Sequence, residues 1–412
     1  MSTEAALDFE RLLRQIRQLE VHTPQGSSGL LARESRFVFN YGAAPDAAAV
    51  SLTMPVRRES YASGDLMGVF AMNRPEGYLR FVIEDRLARY GAPSDLFLLF
   101  LAGRNQIGRL TYSVPGERVP EGEGEQLDEL LSSPSGRLFE RLIDRYALGS
   151  GISGVQPKAL VPLASESPAQ KPPLEHTTLP LKTVIVKAEG EDFPGLARNE
   201  FFCMSVAQEA GLETPDFWLS SDGRLFVMSR FDRLPDGTPL GFEDMSVLTG
   251  KAKYEGSYEM IAKAVDIYTR GEPLQQRRLF ERVALSCLLR DGDAHMKNIG
   301  ILYADPTGAR RLAPVFDVVC TDVYPDLDGR IALNLHKSKT FPVPAELVAY
   351  AKRLGLRATE AERIMTRLRE AYTRVADRFE ADARYREGDL LARMRHAIEH
   401  AGVKPVARPK LR

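Results

Sequence analysis

Cysteine and tryptophan are scarce in this chain of 412 residues, with three of the first (Cys203, Cys287, Cys320) and one of the second. The cysteines are scattered within apolar patterns, without the paired spacing of a metal site, and an odd number argues against a disulfide framework. They read as small buried hydrophobes of a reducing compartment. No stretch approaches the ~18 or more apolar residues of a membrane-spanning helix. The first ten residues are acidic and have neither the basic start nor the apolar core of a signal peptide, so a cytoplasmic protein with no membrane partner is expected. Net charge is −1, which gives no global field toward nucleic acid or an anionic membrane. What is present is 44% apolar and 27% charged, the composition of an ordinary globular protein. The length favours two or three domains with sizeable cores.

The most informative stretch is Asp291-Gly292-Asp293-Ala294-His295-Met296-Lys297-Asn298, flanked by apolar runs at 283–289 and 299–303. An Asp five residues before an Asn is how protein-kinase catalytic loops place a base and a magnesium ligand. Asp and Asn also serve ordinary turns and caps, so both readings stand at this point. Nineteen residues on, Pro314-Val315-Phe316-Asp317-Val318-Val319 supplies an acid after a strand-like run. Upstream, Thr183-Val184-Ile185-Val186-Lys187 is a β-branched run ending on a lysine. Glu200 follows it in a segment of helical period, as a partner for that lysine. Before both lies the glycine- and serine-rich turn 148–158, whose backbone N–H groups can cradle phosphates.

These parts stand in kinase order. The turn Ser153-Gly154-Val155-Gln156-Pro157-Lys158, the segment Ser229-Arg230-Phe231-Asp232-Arg233 and the run 291–298 together resemble the HipA family, bacterial serine/threonine kinases that act as toxins in toxin–antitoxin pairs. Arg74-Pro75-Glu76-Gly77-Tyr78-Leu79-Arg80 resembles the family's L-P-E-G-x-x-R stretch. The likeness runs from about residue 35 to about residue 380.

The resemblance implies an α+β, protein-kinase-like bilobal fold with a β-rich N-terminal part, an extra N-terminal subdomain and an all-helical C-terminal lobe. Expected divisions are 1–30 as a helical extension, 31–135 as the N-terminal subdomain, 136–235 as the kinase N-lobe with its hinge, and 236–412 as the C-lobe. A helical stripe is read over 7–20, strands over 36–41, 50–54 and 108–113, and a helix over 78–90. A hairpin is read over 217–219 and 225–228. Helices follow at 258–268, 273–289, 345–354, 359–382 and 389–400. Segment 117–126 reads as a solvated linker, and 162–182 as an exposed β-connection or flexible loop.

Asp293 is the expected catalytic base. Asn298 and Asp317 offer oxygens to Mg²⁺, a hard cation. For ATP, Lys187 would neutralise phosphates while paired with Glu200, and Lys158 would reach phosphate beside Ser153, Gly154 and Val155. The resemblance places His295 near the phosphates. It places Asp232 near the ribose and the backbone of Ser229 and Phe231 at the adenine. The regulatory serine of well-known members aligns here with Gly151; Ser150 and Ser153 sit instead, and either is a candidate autophosphorylation site whose added charge would repel triphosphate.

By resemblance, the protein substrate would be a translation component such as an aminoacyl-tRNA synthetase. A helix-turn-helix antitoxin would restrain the kinase, with DNA reached only through that partner. Two other classes compete: a non-catalytic nucleotide-binding pseudokinase, and a metal-dependent hydrolase using Asp291, Asp293 and His295.

Overall fold

A computed structural model describes residues 9–103, 105–114, 125–147, 156–163, 183–386 and 388–400. Ser150, Ser153, Gly154 and Val155 of the glycine-rich turn lie outside the described residues, as does most of 162–182.

The N-terminal part is a five-stranded antiparallel sheet in the order Tyr61–Ser63, Phe37–Tyr41, Gly26–Arg33, Gln18–Thr23, Thr111–Ser113. Its buried face carries Leu19, Val21, Leu31, Phe37 and Phe39. The helix Asp95–Ala102, apolar at nearly every position, is buried all round. Ser94 caps it, accepting a hydrogen bond from the Phe97 N–H.

This sheet corrects the helical reading of residues 7–20. The helix is Phe9–Gln15 only, and burial then alternates through Leu19, Val21 and Thr23, the period of a strand. After a turn at 24–25, Gly26–Arg33 is a central strand of this sheet. At Gly29 a Cβ would stand 2.0 Å from the Asn40 carbonyl oxygen, so close backbone approach demands glycine there. Residues 50–54 form no strand, only an isolated bridge between Ser51 and Met54.

A second antiparallel sheet runs Lys158–Pro162, Thr183–Ala188, Leu225–Ser229, Phe217–Leu219, with the expected hairpin at its edge. The helix Leu196–Glu209 crosses it and packs on the long helix Ala358–Glu380 through rings. Phe202 meets Phe379 edge-on at 5.4 Å, and Phe201 lies 5.7 Å from the same ring. The helices Tyr258–Tyr268, Pro273–Leu288, Pro344–Arg353 and Leu390–Glu399 complete the helical lobe, within one or two residues of their sequence bounds. A small sheet of Gly241–Asp244, Gly300–Tyr303 and Arg310–Leu312 adjoins the loop 291–298.

Buried polar contacts tie the N-terminal part to the kinase-like lobes. Glu243 is fully buried and accepts from Ser51 Oγ at 2.5 Å, from the Leu52 N–H at 2.7 Å and from the Tyr303 hydroxyl. Among the described residues no helix is long and apolar enough to cross a membrane.

Candidate active site

Antiparallel pairing sets Lys158 directly opposite Lys187. Two buried ammonium groups side by side need anions, and the fold supplies them. Lys187 Nζ donates to Glu200 Oε1 from the helix Leu196–Glu209 and to Asp317 Oδ1 from a loop, each at 2.6 Å. Burial works against the charged lysine, yet the two carboxylates raise its pKa overall. Burial alone would raise the Asp317 carboxyl, but Lys187 and Lys158 hold it far below the usual range. Burial moves Glu200 the other way, up to about 7, with Lys187 opposing. Lys158, desolvated and beside another cation, falls to about 8.

Asp317 does not follow a strand, as its apolar flank predicts. Residues 313–320 are irregular, and Asp317 adopts φ +58°. A left-handed Asp is tolerated when local contacts fix it. Here the Asn298 Nδ2 donates to both its carbonyl oxygen and Oδ2 at 3.1 Å. Asn298 Oδ1 is buried and has no hydrogen-bond partner. An orphaned acceptor beside an ionised carboxylate is costly in isolation and is the arrangement an oxygen-seeking cation would complete.

Asp293 sits on the loop after helix Pro273–Leu288, its carboxylate partly exposed. Gly292 allows that loop to lie against its neighbours: a Cβ there would come 2.6 Å from the Arg330 carbonyl oxygen and 2.7 Å from Thr321 Oγ1. The Gly292 N–H donates to that Thr321 oxygen at 2.8 Å. His295 is buried, and its Nδ1 accepts from the Lys297 N–H at 3.2 Å. Burial and nearby Lys253 push its pKa far down, so the imidazole is neutral. Asp291 is buried, accepting from the Asp293 N–H and bonded to Ser286 Oγ. Asp291, Asp293 and His295 therefore do not converge, and among the described residues no group of three or more His, Cys, Asp or Glu is arranged to hold a metal.

Lys158, Lys187, Asp293, His295, Asn298 and Asp317 all line one cavity of about 1180 Å³. Its apolar side is aromatic. Phe231 stacks on Phe316 with centroids 4.7 Å apart, and Phe242 meets both rings edge-on. Ile185 and Met228 continue that wall.

Ser229 and Asp232 are not among the residues lining this cavity. The Ser229 N–H is already donated to the Asp216 carbonyl at 2.8 Å. Asp232 is fully buried away from the cavity, held by Arg230, Arg233 and the Gly108 N–H. It ties the segment 229–233 to the N-terminal part at Gly108. Sequence reasoning also missed Glu76, Lys253 and Tyr254, which line the cavity. Lys297 pairs with Glu76 at 2.6 Å across 221 positions, a link no local spacing reveals.

The profile of the HipA-like C-terminal domain matches residues 150–376, and that of the HipA N-terminal domain matches 19–113. The chain belongs to the HipA family. The match begins at residue 19, earlier than the likeness seen in the sequence, and takes in most of the hairpin 18–33. HipA of Shewanella oneidensis MR-1, solved as a toxin–antitoxin complex with HipB and operator DNA, shares the fold at TM-score 0.64 and 18% identity, over 92% of this chain and 97% of that one. A Sinorhizobium fredii protein named as a kinase, Y4dM, is 26% identical over 64% of each chain. A Haemophilus influenzae protein also named as a kinase is 29% identical over 45% of this chain. The matches span 64% and 57% of the lengths of those two relatives.

Proposed function

We propose that this HipA-family chain is a cytoplasmic, ATP- and Mg²⁺-dependent serine/threonine protein kinase. The observation that carries this reading is Lys187, clasped at 2.6 Å by both Glu200 and Asp317 in the cavity that Asp293 also lines. Phosphoryl transfer relies on positioning and electrostatics, and each need has a residue of the right chemistry. The neutral carboxamide oxygen of Asn298 and the carboxylate of Asp317 fit Mg²⁺, which takes oxygen ligands and retains water. When bound, that ion would neutralise charge on the phosphate oxygens. Lys187 and Lys158 hold phosphates as point charges. Phe231, Phe242 and Phe316 offer an apolar face to a purine. Asp293 accepts the proton of the acceptor hydroxyl, and neutral His295 buttresses the loop without adding charge.

The relative solved with HipB and operator DNA supports a toxin role, with a helix-turn-helix antitoxin as partner and DNA reached only through it. Within this reading the acceptor is a Ser or Thr on a translation component such as an aminoacyl-tRNA synthetase. Ser150 and Ser153, beside the phosphate-binding glycines in sequence, are proposed as autophosphorylation sites. Phosphoproteomics after brief expression of wild type and Asp293→Gln tests the activity. New phosphoserine or phosphothreonine with the wild type alone supports it; identical phosphoproteomes and equal growth arrest from both would remove it.

A further inference from the structure

Neither basic side chain of the catalytic loop offers a free cation to a phosphoryl group beside Asp293. His295 is neutral, its Nδ1 used as an acceptor. Lys297 is turned to Glu76. Lys187 and Lys158, assigned above to the nucleotide phosphates, sit on paired strands, and neither forms an ion pair with Asp293. Among the described residues, Lys253 is the one lysine or arginine with its charge within 4.0 Å of the Asp293 carboxylate.

Lys253 comes from the loop 250–257, between the helices Met245–Thr249 and Tyr258–Tyr268. A turn closed by the Glu255 N–H on the Ala252 carbonyl at 3.0 Å puts Lys253 and Tyr254 at its tip. The catalytic loop is bonded to the same segment: the Met296 N–H donates to the Lys253 carbonyl at 3.2 Å, and the Tyr258 hydroxyl donates to the Ala294 carbonyl at 2.9 Å. Lys253 Nζ lies 4.8 Å from the Tyr254 ring centroid, a cation–π contact. Tyr254 in turn donates its hydroxyl to Asp293 Oδ1 at 2.7 Å and meets the His295 ring edge-on. The nearest atoms of Lys253 and His295 also face Oδ1. All three contacts converge on one oxygen, and Oδ2 has none among the described residues. Oδ2 is left to receive a proton.

We propose, building on the kinase reading, that Lys253 is a catalytic residue contacting the transferred phosphoryl group and Tyr254 a positioning residue that fixes the base. In the step, the acceptor oxygen bonds to the γ-phosphorus as the bond to the β-phosphate oxygen breaks. The acceptor proton passes to Asp293 Oδ2, and ADP leaves with the electron pair. Lys253 balances charge on the equatorial oxygens while its loop keeps it beside the base.

The test uses the full chain with Mg·ATP alone, summing labelled phosphate released to water and fixed in protein, with nucleotide Kd measured separately. Lys253→Met should lower kcat about 10²-fold and Tyr254→Phe about tenfold, with Kd within about two-fold of wild type. Lys253→Arg should retain more turnover than Lys253→Met. Wild-type kcat in Lys253→Met or Tyr254→Phe, a loss lying wholly in Kd, or an arginine variant no better than methionine would overturn the assignment. A wild type that binds no nucleotide, or binds without turnover, would sink the kinase reading and this inference together.

Discussion

Glu200 and Asp317 reach the Lys187 ammonium from separate elements, each with one oxygen at 2.6 Å. Glu200 keeps a second oxygen buried and unpartnered, so the pair has no reserve if the lysine is lost. Removing one partner of a buried ion pair is strongly destabilising. Lys187→Met should lower unfolding stability by about 3 kcal/mol, read from urea midpoints at pH 7. The depressed Asp317 carboxyl adds stability above its unfolded value near 4, lost as pH falls below it. The variant should therefore show a shallower loss of stability from pH 5 down to pH 3. An unchanged acid limb would refute the linkage.

Asp291 works with the opposite sign. Burial raises its carboxyl to about 8, with Arg282 opposing. Between the unfolded value near 4 and about 8, the folded state holds a proton that the unfolded state has lost, so stability falls as pH rises. Asp291→Asn can keep both hydrogen bonds while removing the titration. Its melting temperature should drop less than that of the wild type between pH 5 and pH 8; parallel curves would count against a protonated Asp291.

Gly292→Ala should spare nucleotide binding and damage turnover. The new methyl would collide with the backbone oxygen of Arg330, which cannot swing aside as a flexible side-chain end does. Displacing Asp293 by about an ångström can cost about 10²-fold in rate. Equal kcat in the alanine variant would mean that the loop absorbs the methyl.

Asn298→Ala tests the orphaned Oδ1. The expected result is a turnover curve moved to higher Mg²⁺ concentration, with weaker Mg·ATP binding. An unmoved Mg²⁺ curve would take Asn298 out of the ion's shell.

Much of this site was legible because its chemistry is carried by short local spacings. Lys187 ends a β-branched strand, Glu200 follows on a helix, and Asp293 and Asn298 share one loop. Tyr254 and Lys253 were not legible, since they meet Asp293 only by folding from a loop 39 positions away. The hairpin at 18–33 was misread for a different reason. Leu12, Leu13, Ile16 and Leu19 mimic one helical face, while Gly29 has poor strand propensity and is needed only because a neighbouring strand lies so near. Asp232 carries a motif position, but its carboxylate contacts with Arg230, Arg233 and the Gly108 N–H are visible only in the fold.

The buried carboxylate of Glu243 has a consequence for inheritance. Its partners Ser51 and Leu52 belong to the N-terminal match, whereas Glu243 and Tyr303 belong to the C-terminal one. Asp232 and Gly108 straddle the same divide. A recombination crossover between residues 113 and 150 would part the Ser51 hydroxyl from the Glu243 carboxylate it serves, whereas the backbone N–H groups at Leu52 and Gly108 persist in any residue but proline. Ser51 and Glu243 are therefore constrained together, and loss of the Ser51 hydroxyl should be better tolerated alongside a matching change at Glu243.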